Sequence, residues 1–247
     1  MSTAYKIKLI LLFNHIALAI GLLNSSPLWL LITLIGWIAF DKVGGEIGLH
    51  RYFSHKSFKT SKWKEKLLLI LGVFNCYGSA ITWVCVHRKH HAKSDTDEDP
   101  HGNQSLWRIW LTFWKPFTIE LRYIADLSRD PWQKNVHKHY FKIIISVYVI
   151  LGLIDWRLPV FLISGGSVLG FHTAGMVNSI CHKFGYRNFN TNDSSTNNTW
   201  VNVLALGSGL HNNHHANPNN WTTKIKPFEF DFSGWIIEKF LKEGEKK

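Results

Sequence analysis

Leu67 to Val84 reads LLLILGVFNCYGSAITWV, and whether this run crosses a bilayer decides the fold. Its hydropathy is that of a membrane span. Upstream lies HRYFSH, with His50 and His55, and downstream HRKHH, with His87, His90 and His91. Neutral imidazole suits iron, copper, zinc and nickel, and no structural role needs so many histidines together. A crossing would leave the two clusters on opposite sides, too far apart to share ions. The run must therefore enter and leave on one face. Its polar interior, Asn75, Tyr77, Ser79 and Thr82, fits an interfacial, non-crossing helix over about 67–84, packed under the metal site.

Working outward, Ile7 to Leu23 and Leu28 to Phe40 are nearly uncharged and joined by the turn-like Asn24-Ser25-Ser26-Pro27. Ile143 to Ile154 and Leu158 to Val177 repeat that plan around Asp155-Trp156-Arg157. Allowing roughly 20 residues per span, the spans fall at about 7–23, 28–48, 140–154 and 158–177. Residues 1–23 read as a span rather than a cleavable signal, since no small-residue cleavage site follows. The fold class is thus all-α integral membrane, four transmembrane helices in two hairpins. Both termini and every histidine cluster share one side. Lys6, Lys8, Lys56, Lys59, Lys62, Lys64, Arg88 and Lys89 fall there too, which makes that side cytoplasmic and the protein multi-pass.

Residues 85–139 and 183–247 form a helical cap, and 1–247 is a single domain. In the cap Trp107, Trp110 and Trp114 make an interfacial stripe. Phe232, Trp235, Ile236 and Phe240 mark the apolar face of a short amphipathic helix. Three scattered cysteines in 247 residues exclude a disulfide scaffold. The net charge of +11 suits anionic lipid, a phosphate-bearing substrate or an acidic redox partner. With four spans, membrane and not nucleic acid is the expected partner.

In HRKHH, His87 precedes His90 and His91 by three and four residues, so all three project from one face or end of a helix while the adjacent pair diverges by about 100°. Such a pair serves two ions. HNNHH repeats the spacing with His211, His214 and His215, and NSICH adds Asn178 and His182. Nine imidazoles exceed one ion's capacity and suit two. Of the other histidines, His15 reads as lining or packing in the first span, and His101, His137 and His139 as cap surface. His172, within a span, reads as tunnel lining or a hydrogen-bond partner of a metal ligand on one hand and as an interhelical hydrogen bond on the other.

At these residues the chain resembles the membrane fatty acid desaturases, specifically the delta-9 group that includes stearoyl-CoA desaturase and bacterial acyl-CoA and acyl-lipid enzymes. GLHRYFSHKSF, WVCVHRKHHAKSDTDEDPHG, NSICHKFGYRNF and HNNHHANP carry the likeness, in order, over roughly residues 30–240. The resemblance implies a cytoplasmic cap holding a di-iron centre above a buried acyl tunnel. It implies His50, His55, His87, His90, His91, His182, His211, His214 and His215 as iron ligands, Asn178 as a ligand through water, and Trp83 in the tunnel wall. Gly175 stands where the stearoyl-CoA enzymes carry a tryptophan, leaving the tunnel roomier. Gly207-Ser208-Gly209-Leu210 replaces a stretch that in the family carries a glutamate, so a carboxylate near the metals is missing. Glu46, one turn from both Lys42 and His50, is expected to pair with Lys42; as the alternative it supplies that carboxylate.

The implied activity is O2-dependent cis desaturation of an acyl chain carried on CoA or on a membrane lipid. A related di-iron hydroxylase or ketolase is the alternative. An unactivated methylene has no acidic proton, so the oxidant must come from metal and O2. Electrons must come from a separate donor of ferredoxin, rubredoxin or cytochrome b5 type, because the sequence contains no HPGG haem motif and no cysteine cluster. A metal transporter would string its histidines through the bilayer, and a zinc protease would carry HExxH. Neither pattern is present.

Overall fold

The structure, a computed structural model, describes residues 3–101 and 118–243. Among these the chain is helical, with extended pairing confined to single bridges of Asn197 with Tyr186 and with Leu210. The stripe of Trp107, Trp110 and Trp114 lies outside the described residues. Helix α1 spans Thr3–Leu23; α2, Trp29–Gly36, continues unbroken as a π-helix over Trp37–Ser54. Helices α3 (Lys62–Val73) and α4 (Ala80–Lys93) follow, then α5 (Pro131–Ile154) and α6 (Arg157–Ile180). Of these, α1, α5 and α6 are long and apolar enough to cross a membrane. The expected second span falls within α2 and its π continuation. Helix α5 starts before the expected 140, at Pro131. Asp130 caps it, accepting from the Trp132 amide at 2.7 Å, and Pro131 supplies a helix-ready φ.

The run 67–84 is not one helix. Residues 74–79 reverse the chain between α3 and α4, with Cys76 at φ +66° and Gly78 at φ +113°, and Ser79 caps α4 by accepting from the Thr82 amide. Backbone outside a helix is tolerated at membrane depth only where protein satisfies its polar groups, and here the neighbouring helices do so. Ser167 Oγ on α6 donates to the Asn75 carbonyl at 3.0 Å and accepts from Asn14 on α1 at 3.2 Å. The Gly78 amide donates to Tyr140 Oη on α5 at 3.0 Å. The Asn75 side chain accepts from the Tyr77 amide, also at 3.0 Å. Of the polar residues that suggested an interfacial helix, Asn75, Tyr77 and Ser79 fasten a tight turn and Thr82 lies in the first turn of α4. Ser167→Ala is expected to cost about 1–3 kcal/mol by stranding the Asn75 carbonyl, visible as a lower thermal unfolding midpoint in detergent.

Small residues set how closely this hairpin approaches the π-helix. A Cβ on Gly72 would lie 2.9 Å from Leu49 Cδ2, and one on Gly44 would strike the backbone of Leu71 and Gly72. That contact, of the kind small residues permit between membrane helices, holds α3 against the turns leading to His50. Ile47, Leu49, Leu68, Val73 and Val84 are buried around it.

The short helices α7 (Thr199–Leu204), α8 (His211–Ala216) and α9 (Phe232–Ile236) belong to the cap. The last continues through a π-turn, Ile237–Leu241. Ser233, Gly234, Ile237 and Leu241 are buried against the cap, whereas Trp235 and Phe240 of the apolar face are exposed. Asp231 caps the helix at Gly234, and its carboxylate is also tied to Arg51.

Candidate metal centre

The nine histidines of the four motifs come together in two groups. His50, His55, His87, His91 and His214 form one, and His90, His182, His211 and His215 the other, each with ligand nitrogens within 4.8 Å of one another. Local structure explains each placement. In the π-helix, bonding from residue i to i+5 lays residues five apart over one another, and the His55 amide bonds the His50 carbonyl at 3.2 Å. His50 and His55, the latter capping the helix's carboxyl end, thus stand with ring centroids 5.0 Å apart. On α4, His87 and His91 face the first group and His90 the second. On α8, His214 joins the first, and His211 and His215 the second. Each adjacent pair is split by the helical rotation between neighbours.

Arg88 fixes α4 against the π-helix by donating to the Phe53 carbonyl at 2.7 Å and the Ser54 carbonyl at 2.9 Å, closing that helix's unpaired end. Helix α8 is short and needs outside support. Asn212 Oδ1 accepts from the amides of Asn188 and Phe189, both at 2.9 Å. Asn213 donates to the Thr223 carbonyl at 2.9 Å and to Glu229 at 3.0 Å. The two asparagines of HNNHH are the anchors of its histidines.

Pairs of Nε2 atoms approach at 2.8 Å for His55 and His87, 2.9 Å for His50 and His214, and 3.0 Å for His91 and His214 and for His182 and His211. Nitrogens about 2.0–2.1 Å from a shared ion, at right angles, stand about 2.8–3.0 Å apart. The buried Nε2 atoms of His90 and His215 have no hydrogen-bond partner. Outer nitrogens are held by carboxylates: His50 Nδ1 by Glu46 at 3.1 Å, His90 by Asp99 at 3.0 Å, His182 by Asp95 at 3.2 Å and His215 by Asp193 at 2.7 Å. A carboxylate on Nδ1 fixes the tautomer and leaves the Nε2 lone pair turned inward. The donor set fits a metal in each group.

Electrostatics agrees. Burial pushes His87, His91, His211 and His214 well below the ordinary imidazole range, with neighbouring imidazoles adding to it. Burial takes His55 down to about 2 and, against the opposing pull of Asp193, His215 down to about 4. Burial would raise Asp99, but the hydrogen bond from His90 more than offsets it and the carboxyl lies low. Neutral imidazoles and ionised carboxylates are what ligation requires. Because these folded histidines titrate below the unfolded value of about 6.5, the unfolded chain takes up protons first on acidification. The metal-free protein should therefore keep this stability above about pH 6.5 and lose it progressively as the pH falls towards 4. Thermal midpoints of metal-stripped protein across that window test the sign; a midpoint rising with acidification would contradict it.

Several partners were not read from sequence. Glu46 does not pair with Lys42, which binds Asp41 at 3.0 Å and the Ala205 carbonyl at 3.1 Å. Instead Glu46 holds His50 and accepts from Arg51 Nε at 3.0 Å, and Arg51 forks onto Asp231 at 2.8 and 3.0 Å. Asp95, Asp99 and Asp193 stood in polar cap stretches; the habit of ligating histidines to seek a carboxylate was the usable signal. His101, expected at the surface, packs its ring 4.9 Å from that of His90. His137 likewise meets Ser79 at 2.6 Å.

A cavity opens beneath the histidines. His50, His87, His211 and His214 line it, with Trp83, Val86, Ala174, Val177 and Asn178 along its wall and Asp41, Asn75 and Tyr77 among its polar residues. Trp83 lies flat on His87, centroids 4.6 Å apart and planes 19° apart. Gly175 and His172 are not among its lining residues. His172 is exposed and meets His15 across α1 and α6, Nε2 to Nε2, at 3.3 Å, the interhelical alternative for that side chain.

The family model for fatty acid desaturase matches residues 24–226. The chain is 35% identical over 236 residues to an sn-1 stearoyl-lipid 9-desaturase of Anabaena variabilis, covering 92% of this chain and 86% of that protein. It is 36% identical over 209 residues to the sn-1 stearoyl-lipid 9-desaturase of Synechocystis sp., 81% of this chain and 64% of that one. An sn-2 palmitoyl-lipid 9-desaturase of Nostoc sp. is 31% identical over 218 residues, 84% of this chain and 76% of that protein.

Proposed function

The chain belongs to the fatty acid desaturase family, an oxidoreductase that uses O2 to desaturate a saturated acyl chain, and from that premise we propose that it forms a cis bond at carbon nine of an acyl chain esterified to a membrane lipid. The relatives named as stearoyl-lipid and palmitoyl-lipid 9-desaturases support the carrier and the position. The observation that carries the reading is that both histidine groups border one cavity with an apolar wall.

The nine histidines are the proposed ligands of two irons, five to one and four to the other, with Asn178 contributing to the second through water. Bound there, the irons would supply the O2-derived oxidising power that an unactivated C–H bond demands. The protein's own part is positioning. Glu46, Asp95, Asp99 and Asp193 hold the imidazole tautomers. Trp83, pinned against His87, sets the line of the acyl chain past the metals, and Val86, Ala174 and Val177 keep water from the reacting methylenes. Regiochemistry then follows from where the chain is held.

The proposed topology is four spans. The second covers about residues 28–48, whose outer side presents Leu30, Leu31, Leu34, Ile35 and Ile38 exposed, as a lipid-facing surface requires. The histidine side is cytoplasmic, where a separate electron donor of ferredoxin, rubredoxin or cytochrome b5 type docks on the basic face.

Expression in a host without its own desaturase, with mass-spectrometric localisation of the new bond, tests the reading. Lipid-bound monounsaturated chains with the bond at carbon nine are expected. A hydroxylated product, or a bond elsewhere, would overturn it.

A further inference from the structure

Helix α7 of the cap is apolar on two faces. Val201 and Ala205 are buried with Met176, Val177 and Ile180 at the end of α6. Trp200, 80% exposed, and Val203 and Leu204, three and four residues on, form the other face and touch no packed core. A contiguous apolar face of this kind marks a surface that meets lipid or another protein.

Neighbouring segments extend that face. Asn202 Nδ2 donates to the Phe230 carbonyl at 2.9 Å, and from the exposed Phe230 a row of rings follows. Centroids lie 6.5 Å apart for Phe230 and Phe232, 6.0 Å for Phe232 and Trp235, and 5.7 Å for Trp235 and Phe240. Lys64 Nζ then donates to the Phe240 carbonyl at 2.7 Å, and beside Lys64 the Trp63 ring is 65% exposed. The row joins three stretches of chain distant in sequence. Elsewhere the cap is different: from Ala80 to His101, which brings Asp95 and Asp99 to the second histidine group, no large apolar side chain is exposed, and Asp97 and Glu98 are.

Both ends of the row lie where the proposed spans leave the bilayer. Helix α7 packs on the last turns of α6, and Lys42, on the second proposed span, donates to the Ala205 carbonyl at 3.1 Å. Trp63 lies in the first turn of α3, one turn before the apolar run whose hairpin returns on the same side. Lys59, Lys62, Lys64 and Lys66 surround it, with Glu65 the one carboxylate of residues 58–67, and Lys66 lies over the exposed Trp132 ring at 4.3 Å. Tryptophan at a span's end, with lysines that bury their stems and carry their charge outward, suits the headgroup layer, where phosphates meet the ammonium groups. A soluble acidic protein would account for the lysines. It does not account for an aromatic row that starts at the membrane end of α6 and finishes at the start of the α3 hairpin.

We propose that this row is immersed in the interface of the cytoplasmic leaflet, so that the cap is held to the membrane along the edge from Trp200 through Trp235 and Phe240 to Trp63, beyond what the spans alone provide. The inference rests on the proposed four-span topology. Its consequence is that cap and cavity stay against the leaflet that supplies a lipid-borne acyl chain.

The three native cysteines are buried, so a nitroxide label attaches to a cysteine introduced at an exposed position. The full chain, in nanodiscs of phosphatidylcholine and phosphatidylglycerol, is labelled in turn at Val203→Cys, Trp235→Cys and Phe240→Cys on the row, at Asp97→Cys on the acidic face and at Val149→Cys on α5. Collisions of the label with oxygen, which dissolves in lipid, are compared with collisions with a water-soluble nickel chelate. Positions on the row should favour oxygen, less strongly than Val149, and Asp97 should favour nickel. A conservative change gives a second measurement: the tryptophan emission lost in Trp235→Phe should be emission that brominated phosphatidylcholine quenches. Row labels that favour nickel as Asp97 does, or emission from Trp235 untouched by brominated lipid, would overturn the proposal while oxygen preference at Val149 leaves the topology intact. Row labels that lose nickel contact only when an acidic ferredoxin is added would assign the row to the electron donor and overturn the membrane assignment. Nickel preference at Val149 as well would overturn the span topology, and the proposal with it.

Discussion

His214→Ala is expected to abolish desaturation. The imidazole is buried and its Nε2 lies 2.9 Å from that of His50 and 3.0 Å from that of His91, so it joins ligands brought from the π-helix and from α4. Alanine removes a donor from the middle of the first group and leaves neighbours that cannot move in, because Glu46 and the helix backbones hold them. Loss of an outer carboxylate that only orients a ligand costs about 10–100-fold. Loss of the ligand should exceed the upper end of that range. The comparison is built into the site: Asp99→Asn, which weakens the hold on His90 Nδ1 while keeping its shape, should fall within about 10–100-fold. Metal content of purified protein and product formation in a desaturase-free host are the two readouts. Full activity with two metals per chain in His214→Ala would refute the proposed ligand set.

Asp231→Ala is expected to have the largest effect on folding. Its carboxylate receives both forks of Arg51, the amides of Thr223 and Gly234, and the hydroxyls of Thr222 and Thr223. Removing it leaves the Arg51 guanidinium buried without its main counter-charge, a loss of about 3–5 kcal/mol. Arg51 is also the second partner of Glu46, which holds His50. The damage should thus reach the metal centre, lowering metal retention as well as the unfolding midpoint. If Asp231→Ala unfolds within a degree or two of the parent, the buried pair contributes far less than its geometry implies. Asp231→Asn, which loses the charge and keeps one accepting oxygen, and so one of the caps on Gly234 and Thr223, should fall between the parent and Asp231→Ala.

What the sequence by itself determined was a set of local facts. Histidine spacing named the nine imidazoles and implied that adjacent ones would diverge, because the rotation per residue is a property of the helix alone. The length and hydropathy of Ile7–Leu23 and Leu158–Val177 marked helices long and apolar enough to cross a membrane, since those properties need no partner to be read. Asp130-Pro131 carried a helix start that was legible and went unread. What only the tertiary structure decided was whatever depends on groups distant in the chain. The reversal at 74–79 is stable because Ser167 and Tyr140 satisfy its backbone, and neither lies near it in sequence. The choice of Glu46 between Lys42 and His50 turned on Asp41 and Ala205 claiming the lysine and Arg51 bracing the glutamate. The carboxylates on His90, His182 and His215 were visible as residues but not as partners, because a carboxylate finds an imidazole by proximity in space. Asn75 is the clearest case: in sequence one polar residue in an apolar run, in the fold the centre of a turn, its side chain accepting from the Tyr77 amide and its carbonyl from Ser167 on α6.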